Sequence, residues 1–162
     1  MAEAVEPANT GRSMSGTKRL WTYSSVVLAV AGAALIGVGF YFILLRPPLL
    51  PEDVRYMNLS TAQLDAVRPH FEAWLTHVFS VMGGYVVATG VLTITVAATS
   101  FRTRDRIAAV GVLVAGVASI GWMAIVNFEI NSDYKWVLLG MALVWACGLA
   151  LFWFERAPGK GR

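Results

Sequence analysis

The sequence predicts an all-α integral membrane protein: a four-transmembrane-helix antiparallel bundle with a helical extracytoplasmic loop between the first two helices. Three observations carry this expectation. Of the 162 residues, 57% are apolar and only 14% charged, against about 45–50% and about 25% in soluble domains. Four charge-free runs, Trp21 to Leu45, Ala73 to Phe101, Ile107 to Phe128 and Trp136 to Phe154, approach or exceed the roughly 20 residues that cross a hydrocarbon core of about 30 Å. Lys and Arg gather beside alternate ends of these runs. A chain in lipid must satisfy its own N–H and C=O groups, and these runs are too long and unbroken for barrel strands.

The elements follow in order. Residues 1–18 hold Ala, Gly, Ser and Glu with little to bury and are expected to form a disordered cytoplasmic tail, ahead of a transmembrane domain over 19–156. Lys18 and Arg19 precede the first run, and Ala29-Val30-Ala31 has the look of a signal-peptide cleavage site. A secretory apolar region is only about 7–15 residues long, so a run continuing to Leu45 reads as a retained anchor over about 21–45. Pro47 and Pro48 cannot continue that helix.

The outer loop, 46–72, is 27 residues long and too long for a structureless connection. Pro51 opens a turn of helix over Glu52-Asp53-Val54, where acidic residues suit a helix N-terminus. Ser60-Thr61-Ala62-Gln63 matches a capping box followed by Leu64 and Val67, and Pro69 suits the first turn of the second spanning helix. The loop is therefore expected to hold two short interfacial helices. Asn58-Leu59-Ser60 is formally a glycosylation sequon. Spans are expected at about 73–101, 107–128 and 136–154, joined by the short connections 102–106 and 129–135, which predict antiparallel neighbours: second beside third, third beside fourth. A cytoplasmic tail, 157–162, ends the chain.

Orientation follows from the basic residues. With the N-terminus inside, nine (Arg12, Lys18, Arg19, Arg102, Arg104, Arg106, Arg156, Lys160, Arg162) lie on the cytoplasmic side and four (Arg46, Arg55, Arg68, Lys135) outside. Both termini are thus expected in the cytoplasm of a cell whose inner membrane holds the chain. The formal charge of +3 reflects this asymmetry and contact with anionic headgroups. The basic residues form no groove with interleaved aromatics, so nucleic acid is not an expected partner. Trp21, Tyr23, Trp74, Trp136 and Trp153 sit near span ends as interfacial anchors.

Within the spans, small residues recur every fourth position: Ala33 and Gly37, Gly84 and Ala88, and Gly111, Ala115 and Ser119. Such faces let helices approach closely, within the bundle or in a homodimer. Cys147, the single cysteine, excludes an intrachain disulfide and reads as a packing residue.

Ionisable groups in lipid mark function because they are costly there. The spans carry only His77, which argues against an ion-coupled pump. His77, Asn127 and Glu129, with Tyr134 and Arg46 nearby, are expected to form a polar cluster at the outer leaflet, either as a structural hydrogen-bond network or as a site. His70 and His77 lie about 10 Å apart along one helix and cannot clamp one haem iron together. Paired-Cys, HExxH, nucleophile-elbow, phosphate-loop and dinucleotide patterns are absent from the sequence. No cofactor, metal or enzymatic activity is expected.

PPLLPEDVRYMNLS followed by FEAWLTHVFSVMGGYVVATGVL resembles a pattern that recurs in small bacterial four-helix inner-membrane proteins of uncharacterised function. The resemblance covers residues 44–92 and implies a bacterial inner-membrane location with an outward loop, and no catalytic residue. The expected function is that of a structural or accessory component that holds a membrane-protein partner, or a second copy of itself, through the outer loop. The alternative is a small-molecule or lipid binding or transport protein with a site at the outer leaflet near His77. The first predicts a tightly packed bundle, the second a cavity at the outer face.

Overall fold

The structure, a computed structural model, describes residues 21–58 and 60–155. The tails 1–18 and 157–162, with Arg12, Lys18, Arg19, Arg156, Lys160 and Arg162, lie outside the described residues, as does Leu59 in the sequon. All described secondary structure is helical: α1 (Tyr23–Phe40), α2 (Pro51–Met57), α3 (Thr61–Ala98), α4 (Arg106–Gly116), α5 (Trp122–Glu129) and α6 (Lys135–Phe154). Wider π-turns extend α1 over Tyr41–Leu45 and join α4 to α5 over Val117–Gly121.

Four stretches are long and apolar enough to cross a membrane: Tyr23–Leu45, Ala62–Ala98, Arg106–Glu129 and Lys135–Phe154. At most 28% of the most apolar window of any of them is buried inside the protein. Large side chains such as Tyr85, Leu92, Ile107 and Val137 are left exposed. Apolar surface on this scale needs hydrocarbon around it, which makes the chain a multi-pass membrane protein.

Two pairs of glycines set the central packing. A Cβ on Gly83 would stand 2.7 Å from the Gly39 carbonyl oxygen, and one on Gly90 would stand 2.6 Å from that of Gly32. The reciprocal contacts are as close, 2.7 Å from Gly39 to the Gly83 oxygen and 2.9 Å from Gly32 to the Gly90 oxygen. Residue 32 meets 90 and residue 39 meets 83, so α1 and α3 are locked backbone to backbone over two turns. The four-residue stripes read from the sequence point elsewhere. Ala33, Gly37, Gly84, Ala88, Gly111 and Ala115 are exposed, and an added Cβ at Gly37, Gly84 or Gly111 meets nothing within 4 Å. The seam repeats every seven residues because two helices in long contact return to the same face after two turns.

α1 is the central helix. It packs on α3 along one side and on α6 along the other, where Gly148 lets the backbone of Leu28 approach. α4 and α5 pack on α6, while α3 and α4 scarcely touch. The expected pairing of the second and third spans is therefore corrected: their short connection does not make them packed neighbours, because the glycine face of α3 is taken by α1. Leu28, Leu35, Ile120 and Trp145 form the core with Phe101, whose ring lies 4.5 Å from that of Phe152.

The expected loop helices also change. Ser60 and Gln63 do form a reciprocal cap, but the helix they start is α3 itself, which runs through Pro69 without a break. Its 38 residues extend about 57 Å, well beyond a hydrocarbon core. The protruding turns are polar, with Arg68 paired to Asp65 at 3.3 Å and to Glu72 at 2.9 Å. Pro69 has no N–H to give the Asp65 carbonyl, and Asp65 is exposed.

At the end of the molecule where residues 21 and 155 lie, one carboxylate ties three segments together. Glu155 accepts from the Ser24 N–H at 3.0 Å and from the Ser24 hydroxyl at 2.6 Å. Arg104, in the left-handed region at φ 63°, pairs with the same carboxylate at 3.2 Å and also donates to the Glu155 carbonyl. An anion at the first turn of α1 matches the helix dipole.

Candidate functional site

At the opposite end the helices part. A cavity of about 820 Å³ opens between α1, α3, α5 and α6, with Glu52 and Asp53 of α2 in its lining. Its deeper wall is apolar, formed by side chains such as Leu35, Val38, Met82 and Val86. Charge is confined to one end, where Arg46, Glu52 and Asp53 line it.

Local sequence explains the roof. Pro47 and Pro48 have no N–H to give the carbonyls four residues back, so the last turn of α1 widens and the Arg46 N–H returns to Tyr41 at 2.8 Å. The Arg46 side chain then folds over the loop. It donates to the Pro47 and Pro48 carbonyls at 3.0 and 3.3 Å and to Asp53 at 3.0 Å. Its guanidinium stacks 3.5 Å above the centre of the Phe79 ring. Asp53 also accepts from the Leu50 N–H at 2.9 Å, starting α2 one residue after Leu50, with Pro51 in its first turn.

α2 is latched to the turn between α5 and α6. Glu52 is only 2% exposed and accepts from the Ser132 hydroxyl at 3.1 Å. The Ser132 oxygen in turn accepts from the Tyr134 N–H at 3.2 Å. Further out, Arg55 reaches Asp133 at 3.5 Å and the Asn131 carbonyl at 3.4 Å. Those outer contacts are exposed and weak, whereas the Glu52 latch is enclosed.

Both π-turns border the cavity. Tyr41 and Phe42 line it from the first, Ala118 and Ser119 from the second. The second π-turn follows a close contact at Gly116, where an added Cβ would collide with the Trp145 indole. Trp145 donates to the Val112 carbonyl at 3.1 Å, which gives the buried indole N–H a partner. A wider turn shifts the helix axis locally, and such turns recur at functional sites.

The five residues expected to cluster separate into two groups. Arg46, Asn127 and Tyr134 line the cavity; His77 and Glu129 do not. His77 is exposed and engages Nδ1 with the Ala73 carbonyl of its own helix at 2.6 Å. Glu129 is exposed at the end of α5. The expectation assumed that α3 and α5 are neighbours, and they are not. Asn127 donates its amide to the Met123 carbonyl at 2.9 Å. The Tyr134 ring lies 6.2 Å from that of Tyr41.

Sequence reasoning missed Glu52, Tyr41 and Ser132 as wall residues. The signal for Glu52 was present but read differently: two carboxylates follow one arginine by six and seven residues, more than a short helix start needs. No group of three His, Cys, Asp or Glu among the described residues is placed to hold a metal ion. What the arrangement can do is hold a molecule with an apolar body and a polar end. No protein-family model, curated protein or solved structure matches this chain, so its function is read from this cavity and the membrane spans around it.

Proposed function

We propose that this protein is a non-enzymatic amphiphile-binding protein of a bacterial inner membrane. In this reading the four spans form an antiparallel bundle with both termini cytoplasmic, supported by the nine-to-four distribution of basic residues. α2 then lies at the outer leaflet. The observation that carries the function is the cavity of about 820 Å³, apolar along its depth and charged at one end. That volume falls within the range of small-molecule sites, and its polarity gradient runs the way a lipid-like molecule is built.

The accessory reading places the working surface on the loop between α1 and α3. Less supports it: Arg46, Glu52 and Asp53, three of the charged side chains that loop offers, turn inward and line the cavity.

Gly37 provides the test. It lines the cavity, and a Cβ there meets nothing within 4 Å, so Gly37→Phe fills the space without disturbing the α1–α3 seam. Native mass spectrometry of the full chain, purified from host membranes in a neutral detergent, is expected to show a retained amphiphile that the variant loses at an unchanged melting temperature. Equal occupancy in both proteins, or a co-purified protein with no small-molecule adduct, would overturn this reading in favour of the accessory one.

A further inference from the structure

The charged end of the cavity is not neutral. Among the described residues that line it, Arg46 is the only cation, against two carboxylates, Glu52 and Asp53. Its terminal nitrogens are engaged by Asp53 and by the Pro47 and Pro48 carbonyls, with Phe79 beneath. With three hydrogen bonds made, one face covered and the side chain only 8% exposed, little of the guanidinium is open to an anionic head.

The acceptors are in the opposite state. Glu52 is buried, with 2% of its surface exposed. One of its oxygens takes the Ser132 hydroxyl, while the other takes no hydrogen bond among the described contacts. Ser132 cannot supply it, since its single hydroxyl proton is already given to the first oxygen. One amide N–H of Asn127 is given to the Met123 carbonyl, which leaves its carbonyl oxygen as an acceptor beside its second N–H. Tyr41 and Tyr134 stand on the same wall with paired rings, whose faces attract cations.

Resting on the amphiphile reading, we propose that the cavity selects an amphiphile with an ammonium head, seated against the Glu52 carboxylate. An ammonium brings donors and positive charge to a wall with spare acceptors and excess negative charge. A phosphate or carboxylate head would instead place a second anion beside an enclosed one, where the cation among the described lining residues is already paired to Asp53.

The test uses the full chain in neutral detergent and three probes with one tail: hexadecylammonium, hexadecyl phosphate and hexadecanol. Native mass spectrometry is expected to show the ammonium probe bound in preference, by on the order of tenfold to a hundredfold, as for a charge-assisted hydrogen bond. Glu52→Gln, which keeps the acceptor for Ser132, should abolish that preference, bringing the ammonium probe down to the level at which the same variant binds hexadecanol. Ser132→Ala removes the latch but keeps the charge, and should retain the preference. Competition with phosphatidylethanolamine then distinguishes the source: displacement identifies a bilayer aminolipid head, persistence a free amine, and both support an ammonium site.

Two results overturn the assignment while the amphiphile reading stands: phosphate binding as well as ammonium, or Ser132→Ala losing the preference as fully as Glu52→Gln. If no probe binds and Gly37→Phe changes nothing, the amphiphile reading itself fails, and the ammonium head with it.

Discussion

At the end that holds residues 21 and 155, a carboxylate, an arginine and two aromatic rings close the bundle. Glu155 gathers Ser24 and Arg104, while Phe101 and Phe152 pack together with their rings tilted by 36°. At the α2 end the same residue classes keep it open. Arg46 and Asp53 pair, Phe42 and Phe79 stand 6.0 Å apart, and a cavity lies below. The difference lies in what each ion pair joins. Glu155 and Arg104 link segments 51 residues apart in sequence and draw helices together. Arg46 and Asp53 are seven residues apart and shape one loop, so they roof the space without pulling its walls inward.

The largest effect is expected where backbones touch. Gly83→Leu must push α3 off the Gly39 carbonyl; overpacking of this kind costs about 3 kcal/mol, visible as a large fall in melting temperature in detergent. An unchanged melting temperature would mean that α1 and α3 do not meet along this seam.

Next comes Glu155→Ala, which strips the Ser24 N–H and hydroxyl of their acceptor and leaves Arg104 without its carboxylate. A loss of about 2 kcal/mol is expected from such partly enclosed, charge-assisted bonds. Combining it with Arg104→Ala should give less than the sum of the two single losses, because both remove the same bond.

At the other end Asp53→Asn is expected to act locally. Hydrogen exchange of the α2 amides should quicken while the global melting temperature moves little, since this pair orders a roof and not the helix packing. A fall as large as that of Glu155→Ala would erase the contrast between the ends.

The smallest effect belongs to Gly84→Ala, one residue from the most sensitive position. Its Cβ enters open space, and the better helix former should be neutral or stabilise by about 0.5 kcal/mol.

Gly83 and Gly84 also show where sequence reading reaches its limit. Both are glycines in one apolar run, and the four-residue spacing from Gly84 to Ala88 matched the small-residue pattern better than the spacing of seven from Gly83 to Gly90. Spacing says which positions share a face, not which face meets a neighbour. The capping box at Ser60 was legible for the same reason that its consequence was not. A cap marks where a helix begins, whereas its length depends on where the chain beyond Pro69 can keep its backbone satisfied.

By itself the sequence determined the membrane class, the four spans, the break at Pro47 and Pro48, and the helix starts at Pro51 and Ser60. These rest on short-range physics: backbone groups that must be paired in lipid, prolines without an N–H, side chains that cap the turn beside them. Only the tertiary structure decided that α1 lies between α3 and α6, that Gly32, Gly39, Gly83 and Gly90 form the seam, and that Glu52 turns inward while His77 does not. Those outcomes depend on which apolar faces pack together, and in a chain apolar on every side many faces are nearly equivalent until backbone shape distinguishes them.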